Sequence, residues 1–195
     1  MARVDVTGRI RAGLVAAAAG EALGLPWVGR SPRELRRDAV MAGAGSVERR
    51  GAEHPLLAAV AVGWGEPDPR ARRALLRGDT WAVAELAAWS LEGRPLHHAV
   101  RDHGEEWSPP FRGPRGDREV VSALFALVFG HDDPSDGMLA AVRLGGDTAV
   151  LAALTGAVLG CRRAEAVARI PWLERVALPP EADLDARAAA LAARR

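Results

Sequence analysis

The chain has 195 residues, of which 49% are hydrophobic and 26% charged, with a formal net charge of +1. That length suits one sizeable domain, and so small a charge gives no broad attraction for nucleic acid or an anionic membrane surface. Lys, Asn, Gln and Tyr are absent, which excludes Schiff-base lysine chemistry and any mechanism that needs an amide or phenol side chain.

Helical periodicity dominates and no segment sustains strand alternation, so the expected fold is all-α, a compact globular helical bundle in a single domain over residues 1–195. The first helix spans residues 8–24, with Ile10, Leu14, Ala17 and Ala18 on its apolar stripe. Its run from Ala12 to Ala19 is too short and too Ala-rich to span a bilayer, and no N-terminal stretch has the layout of a signal peptide. Ser31, Pro32 and Glu34 read as a short second helix with a cap, a first-turn proline and a capping-box carboxylate. Residues 41–54 read as loop, Leu56–Val62 as an apolar segment ended by the turn cluster "GWGEPDP", and Arg70–Leu76 as a short basic helix.

"GDTWAVAELAAWSLEG" starts a helix at Asp79 or Thr80 and stops it at Gly93, with Trp81, Ala82, Leu86 and Trp89 on the core face. Pro95–His103 is a further helical piece. Residues 104–117, with three prolines and three glycines, form the expected mobile loop. Helices follow at 118–129, 134–143, 147–160 and 163–168, then the turn "IPWLERV" and a C-terminal Ala/Arg helix. The single Cys161 has no partner for an internal disulfide and reads as inert packing, so the expected compartment is the reducing cytoplasm.

Two carboxylates stand out. Glu21 follows Ala17 and Ala18 on the first helix and points inward if the helix continues that far; if the helix ends near Gly20, it faces solvent or an arginine. Asp147, in "RLGGDTAV", is in register with Val150, Leu151, Leu154 and Val158. It is either a ligand position or simply the cap of a helix. Gly145 and Gly146 let backbone approach a ligand, and the helix start at Thr148 favours anions. "LHHAVRDH" places His98 and Asp102 four apart with His97 beside them, but supplies no third metal ligand. "HDDPSD", residues 131–136, lacks the alternating oxygens of a calcium loop and reads as an acidic turn before a helix at Pro134. Arg115, in "GPRGD", and Arg118 are candidate anion partners.

The two ends of the chain, "GRIRAGLVAAAAGEALGLPWVGRSPRELRR" and "VVSALFALVFGHDDPSDGMLAAVRLGGDTAVLAALTGAVLG" with its "RIPWLERV" ending, resemble the ADP-ribosylglycohydrolase family. The resemblance implies an all-α bundle and a hydrolase that removes ADP-ribose from a side chain or related acceptor. It also implies a binuclear Mg²⁺ site built from a Thr-Asp-Asp cluster near the start and Asp-Thr-Asp-Thr near the end. Here the closing motif is reduced to Asp147 and Thr148, with Ala149 and Val150 at the next two positions. Glu21 stands where the opening Gly-Asp has its carboxylate, Val28 replaces an acidic residue, and "DAVMAGAGSVERR" holds no Thr-Asp-Asp. Asp38 and Glu53 are the other carboxylates within reach in sequence.

The first reading is therefore a shortened, catalytically degenerate member that binds a small ADP-ribose-like ligand or regulates, with no cofactor. In it Asp147 is an inherited ligand position that serves mainly as a helix cap. Gly145, Gly146, Thr148 and Arg115 face the ligand. The second reading is an active N- or O-glycosidic hydrolase with a reduced Mg²⁺ site, Glu21 acting in catalysis and Asp147 and Thr148 holding the metal. The third is assembly, as a homodimer or with another chain; six Trp against three Phe suit an interface as well as a core.

Overall fold

The computed structural model describes residues 5–35, 40, 54–65, 79–94, 113–178 and 183–194. These form eight α-helices and no β-strand: α1 (Val6–Gly24), α2 (Pro55–Gly63), α3 (Asp79–Glu92), α4 (Asp117–Gly130), α5 (Pro134–Arg143), α6 (Thr148–Arg162), α7 (Ala164–Val167) and α8 (Leu184–Ala192). Tight 3-10 turns occupy Leu25–Trp27, Pro32–Glu34 and Leu173–Arg175. The all-α expectation holds. The predicted helices at Arg70–Leu76 and Pro95–His103, the group His97, His98 and Asp102, the carboxylates Asp38 and Glu53, and residues 104–112 lie outside the described residues. No helix among the described residues is long and apolar enough to cross a membrane.

Helix α6 is the centre of the bundle, buried at every residue from Leu151 to Cys161. Helix α1 runs antiparallel along it in unusually close contact. A Cβ on Gly20 would collide with the carbonyl oxygen of Ala152, one on Gly24 with that of Thr148, and one on Gly156 with that of Ala16. Each step of four residues up α1 is thus matched by a step of four down α6. Small residues at that spacing let two backbones touch, which no larger side chain allows. This corrects the predicted stripe on α1. Ile10 is buried as expected, whereas Leu14, Ala17 and Ala18 are only partly so; the packed face is Ala12, Gly13, Ala16, Ala19, Gly20 and Leu23. The face with the smallest side chains wins because closeness of approach, rather than side-chain size, decides the contact.

The remaining helices attach to this pair. Pro55 opens α2, where its missing N–H costs no hydrogen bond, and the preceding His54 Nδ1 accepts from the Leu56 amide at 3.3 Å. Helix α3 buries Ala82, Leu86 and Trp89, but Trp81 is 43% exposed, against the expectation. Trp81 shares its stripe with Glu85 and Ala88, which are only partly buried, while Ala82, Val83, Leu86 and Ala87 take the inner face. Arg9 of α1 donates to the Leu91 carbonyl at 3.0 Å in the last turn of α3, where helix carbonyls lack intrahelical donors. Asp133 caps α5, accepting from the amides of Ser135 at 2.8 Å and Asp136 at 3.3 Å. Within the "IPWLERV" turn, the fully buried Trp172 donates its indole N–H to the Ala19 carbonyl at 2.9 Å and ties that turn to α1.

The α1–α6 contact gives a paired prediction. Gly20→Ala, which forces a methyl into the Ala152 backbone, destabilises by about 1–3 kcal/mol or more. Gly130→Ala, at the end of α4 where a Cβ meets nothing, is neutral or stabilising by up to about 1 kcal/mol. Urea unfolding of the two variants measures the difference, and equal effects would contradict the close contact.

Candidate functional site

Because Gly24 lies against Thr148, the end of α1 and the start of α6 share one end of the bundle. Three glycine-bearing segments converge there: the chain leaving α1 at 27–31, the chain entering α4 at 113–116, and the α5–α6 link at 144–147. Gly145 and Gly146 adopt φ of +73° and +71°, a left-handed pair that reverses the chain within two residues and that side-chain-bearing residues resist. They also leave no room beside them: a Cβ on Gly146 would strike the Pro114 carbonyl.

Backbone hydrogen bonds tie the three segments together. The Gly29 amide donates to the Gly146 carbonyl at 2.8 Å, the Gly146 amide to the Arg30 carbonyl at 3.2 Å, and the Asp147 amide to the Pro114 carbonyl at 2.9 Å. Thr148, fully buried, donates its hydroxyl proton to the Gly24 carbonyl at 2.7 Å. The first segment is closed by Glu34, whose carboxylate accepts from both the amide and the hydroxyl of Ser31, each at 2.8 Å. Those two hydrogen bonds, with Arg30 nearby, hold its pKa below the ordinary carboxylate value.

Asp147 occupies the cap position of α6, yet its side chain caps no amide of that helix. This corrects the expectation of a helix cap. The Asp147 backbone there has φ −82° and ψ 56°. Its Oδ2 instead accepts from the Gly116 amide at 2.9 Å. Together with the Asp147 amide on Pro114, this holds residues 114–116 at two points. The carboxylate also places negative charge near the positive end of α6.

The other candidates fall as follows. Helix α1 persists to Gly24, so Glu21 lies in its last turn and is buried, 7% exposed, at the same end of the bundle as Asp147. Arg115 is exposed; its amide donates to Glu119 Oε2 at 2.8 Å and its Nη2 reaches the Gly29 carbonyl at 3.4 Å. Arg118 is exposed one residue into α4. The structure therefore gathers Gly145, Gly146, Asp147, Thr148 and Arg115 into one junction. Sequence alone does not point to their partners: the carbonyls of Gly24, Arg30 and Pro114 and the amide of Gly116. Their only trace in sequence is the pair Gly113 and Gly116 flanking Pro114. A cavity of about 540 Å³ lies elsewhere, toward the start of α1, lined by Asp5, Arg9, Arg11, Val15, Glu165 and Leu173.

Magnesium demands about six oxygen ligands in near-octahedral array. Among the described residues no three His, Cys, Asp or Glu side chains come together to hold a metal. Asp147 has one oxygen already engaged, Thr148 is buried with its proton committed to Gly24, and Ala149 and Val150 add no side-chain oxygen. These residues do not fit a binuclear Mg²⁺ site.

The ADP-ribosylglycohydrolase family profile matches residues 56–195. A solved structure described as an ADP-ribosylglycohydrolase-related protein complex has a TM-score of 0.70 at 20% identity, over 97% of this chain and 99% of that one. At that identity the likeness is one of fold. No curated protein matches the chain.

If the Asp147 carboxylate holds the 114–116 segment, Asp147→Ala lowers stability by about 1–3 kcal/mol with no metal or ligand present. Chemical unfolding in the presence of a chelator checks this; an unchanged midpoint would contradict it.

Proposed function

We propose that this chain, which belongs to the ADP-ribosylglycohydrolase family, is a catalytically degenerate member that binds a small ADP-ribose-like ligand in a binding or regulatory role. One observation carries the reading: the carboxylate that the family motif would give to metal is turned onto the Gly116 amide. Hydrolysis assisted by paired metals needs several oxygen donors converging on each ion to organise water and ribose hydroxyls, and Ala149 and Val150 cannot contribute them. What supports retained ligand binding is the junction itself. Its backbone is held by five glycines of positive φ, at Gly29, Gly113, Gly116, Gly145 and Gly146, beside the exposed guanidinium of Arg115, a partner for phosphate.

A second reading, assembly with another chain, is favoured by the solved relative, whose nearly equal length is covered at 99% and which is described as a complex. Light scattering across concentration tests it. The reading of a working hydrolase with Glu21 and a single Mg²⁺ at Asp147 and Thr148 has as its support the burial of Glu21 at the same end of the bundle.

Calorimetric titration with Mg²⁺, then with ADP-ribose with and without Mg²⁺, separates these readings. The expected result is ADP-ribose binding of equal affinity in both conditions and no turnover of ADP-ribosylated substrate. Magnesium-coupled binding, or turnover lost in Asp147→Ala while that variant remains folded, would overturn the degenerate reading.

A further inference from the structure

Residues 113–116 cross the junction as a short strap on the way into α4. Glycines of positive φ bound it, Gly113 at +77° and Gly116 at +75°. Its first half is pressed onto the Gly-Gly link. Gly113 and Pro114 are buried, and a Cβ on Gly113 would strike the Leu144 carbonyl. Its second half is open: Arg115 and Gly116 are exposed, and a Cβ on Gly116 would meet nothing. Among the described residues, three hydrogen bonds close the strap. The Gly116 amide donates to Asp147 Oδ2 at 2.9 Å, the Asp147 amide to the Pro114 carbonyl at 2.9 Å, and Arg115 Nη2 to the Gly29 carbonyl at 3.4 Å. Two backbone amides and a guanidinium are the donors that an anion would use, and the closed strap gives each an acceptor from the chain itself. The Asp147 carboxylate, standing at Gly116, also repels an approaching anion.

We infer that the strap is an autoinhibitory latch, held shut by the Asp147 carboxylate and turning about Gly116 to release these donors to an anionic ligand. The inference rests on the ligand-binding reading proposed above. A charge-assisted hydrogen bond is strong enough to favour the closed form, and so few contacts let the strap open while the bundle stays folded. A ligand that binds the open form alone has its affinity lowered by the fraction of molecules that are open.

Native-state amide exchange in low urea tests the latch without a ligand. The Gly116 and Asp147 amides are expected to show equal protection that urea barely changes, while the amide of the fully buried Leu154 exchanges through global unfolding. Asp147→Ala is expected to speed exchange at Gly116 about tenfold or more, with the Leu154 amide reporting that the variant stays folded. A Gly116 amide that exchanges no faster than that of Leu154 would overturn the latch. Calorimetric titration with ADP-ribose then reads the inhibition. Affinity is expected to rise about tenfold in Asp147→Ala and less in Asp147→Asn, which removes the charge but keeps an oxygen for the Gly116 amide. Equal gains in the two variants would assign the effect to charge alone and overturn the inference, as would an unchanged affinity. No ADP-ribose binding in any of the three proteins would overturn the ligand-binding reading and the inhibitory role with it, while the exchange data still decide whether the strap opens.

Discussion

Everything in this bundle is built around the contact between α1 and α6. Glycine and alanine recur every fourth residue on both helices, and the carbonyls of one lie where side chains of the other would have to be. Such a contact is specific in register as well as close. Sliding α1 by one residue along α6 would bring side chains against carbonyls all along the seam. Dispersion between two touching backbones replaces the side-chain burial that larger residues would supply, and the larger apolar groups, Trp64 and Trp172 among them, fill the space around the pair. Trp64 packs its ring where a Cβ on Gly13 would be, and Trp172 bonds to the Ala19 carbonyl.

That register has a functional consequence. By setting Gly24 against Thr148 it places the turn after α1 beside the start of α6, and the Gly-Gly link and the approach to α4 close around them. The family resemblance of this motif implies a place that presents oxygens to metal. In this chain the same backbone is tied to itself. Thr148 bonds to Gly24, the Asp147 amide to Pro114, and the Asp147 carboxylate to Gly116. Ala149 and Val150 add no side-chain oxygen there, and the Asp147 carboxylate holds a loop.

Much of the fold was legible in the sequence because capping chemistry is local. Pro134 after Asp133, and Ser31 three residues before Glu34, each mark a boundary that the structure bears out. What was not legible depends on contacts distant in sequence. No periodicity distinguishes Ala16 and Gly20 from Ala17 and Ala18 as the face that meets α6, since all are small and apolar. Trp81 reads as core by residue type and is displaced to the edge by the stripe formed by Val83, Leu86 and Ala87. At the junction, the pattern Gly-Gly-Asp-Thr located the candidate residues, but the choice of Asp147 between its own helix and Gly116, 31 residues away, is made by the fold.

The Asp147 carboxylate is engaged by the Gly116 amide, and on the proposed function it does not serve a metal. Amide hydrogen exchange at Gly116 tests it most directly, in the native chain and in Asp147→Ala, each with Mg²⁺ and with a chelator. The expected result is that Gly116 is protected in the native chain, that Mg²⁺ leaves this protection unchanged, and that Asp147→Ala removes it. A Gly116 amide that exchanges freely in the native chain, or that loses protection when Mg²⁺ is added, would instead show a carboxylate available to metal.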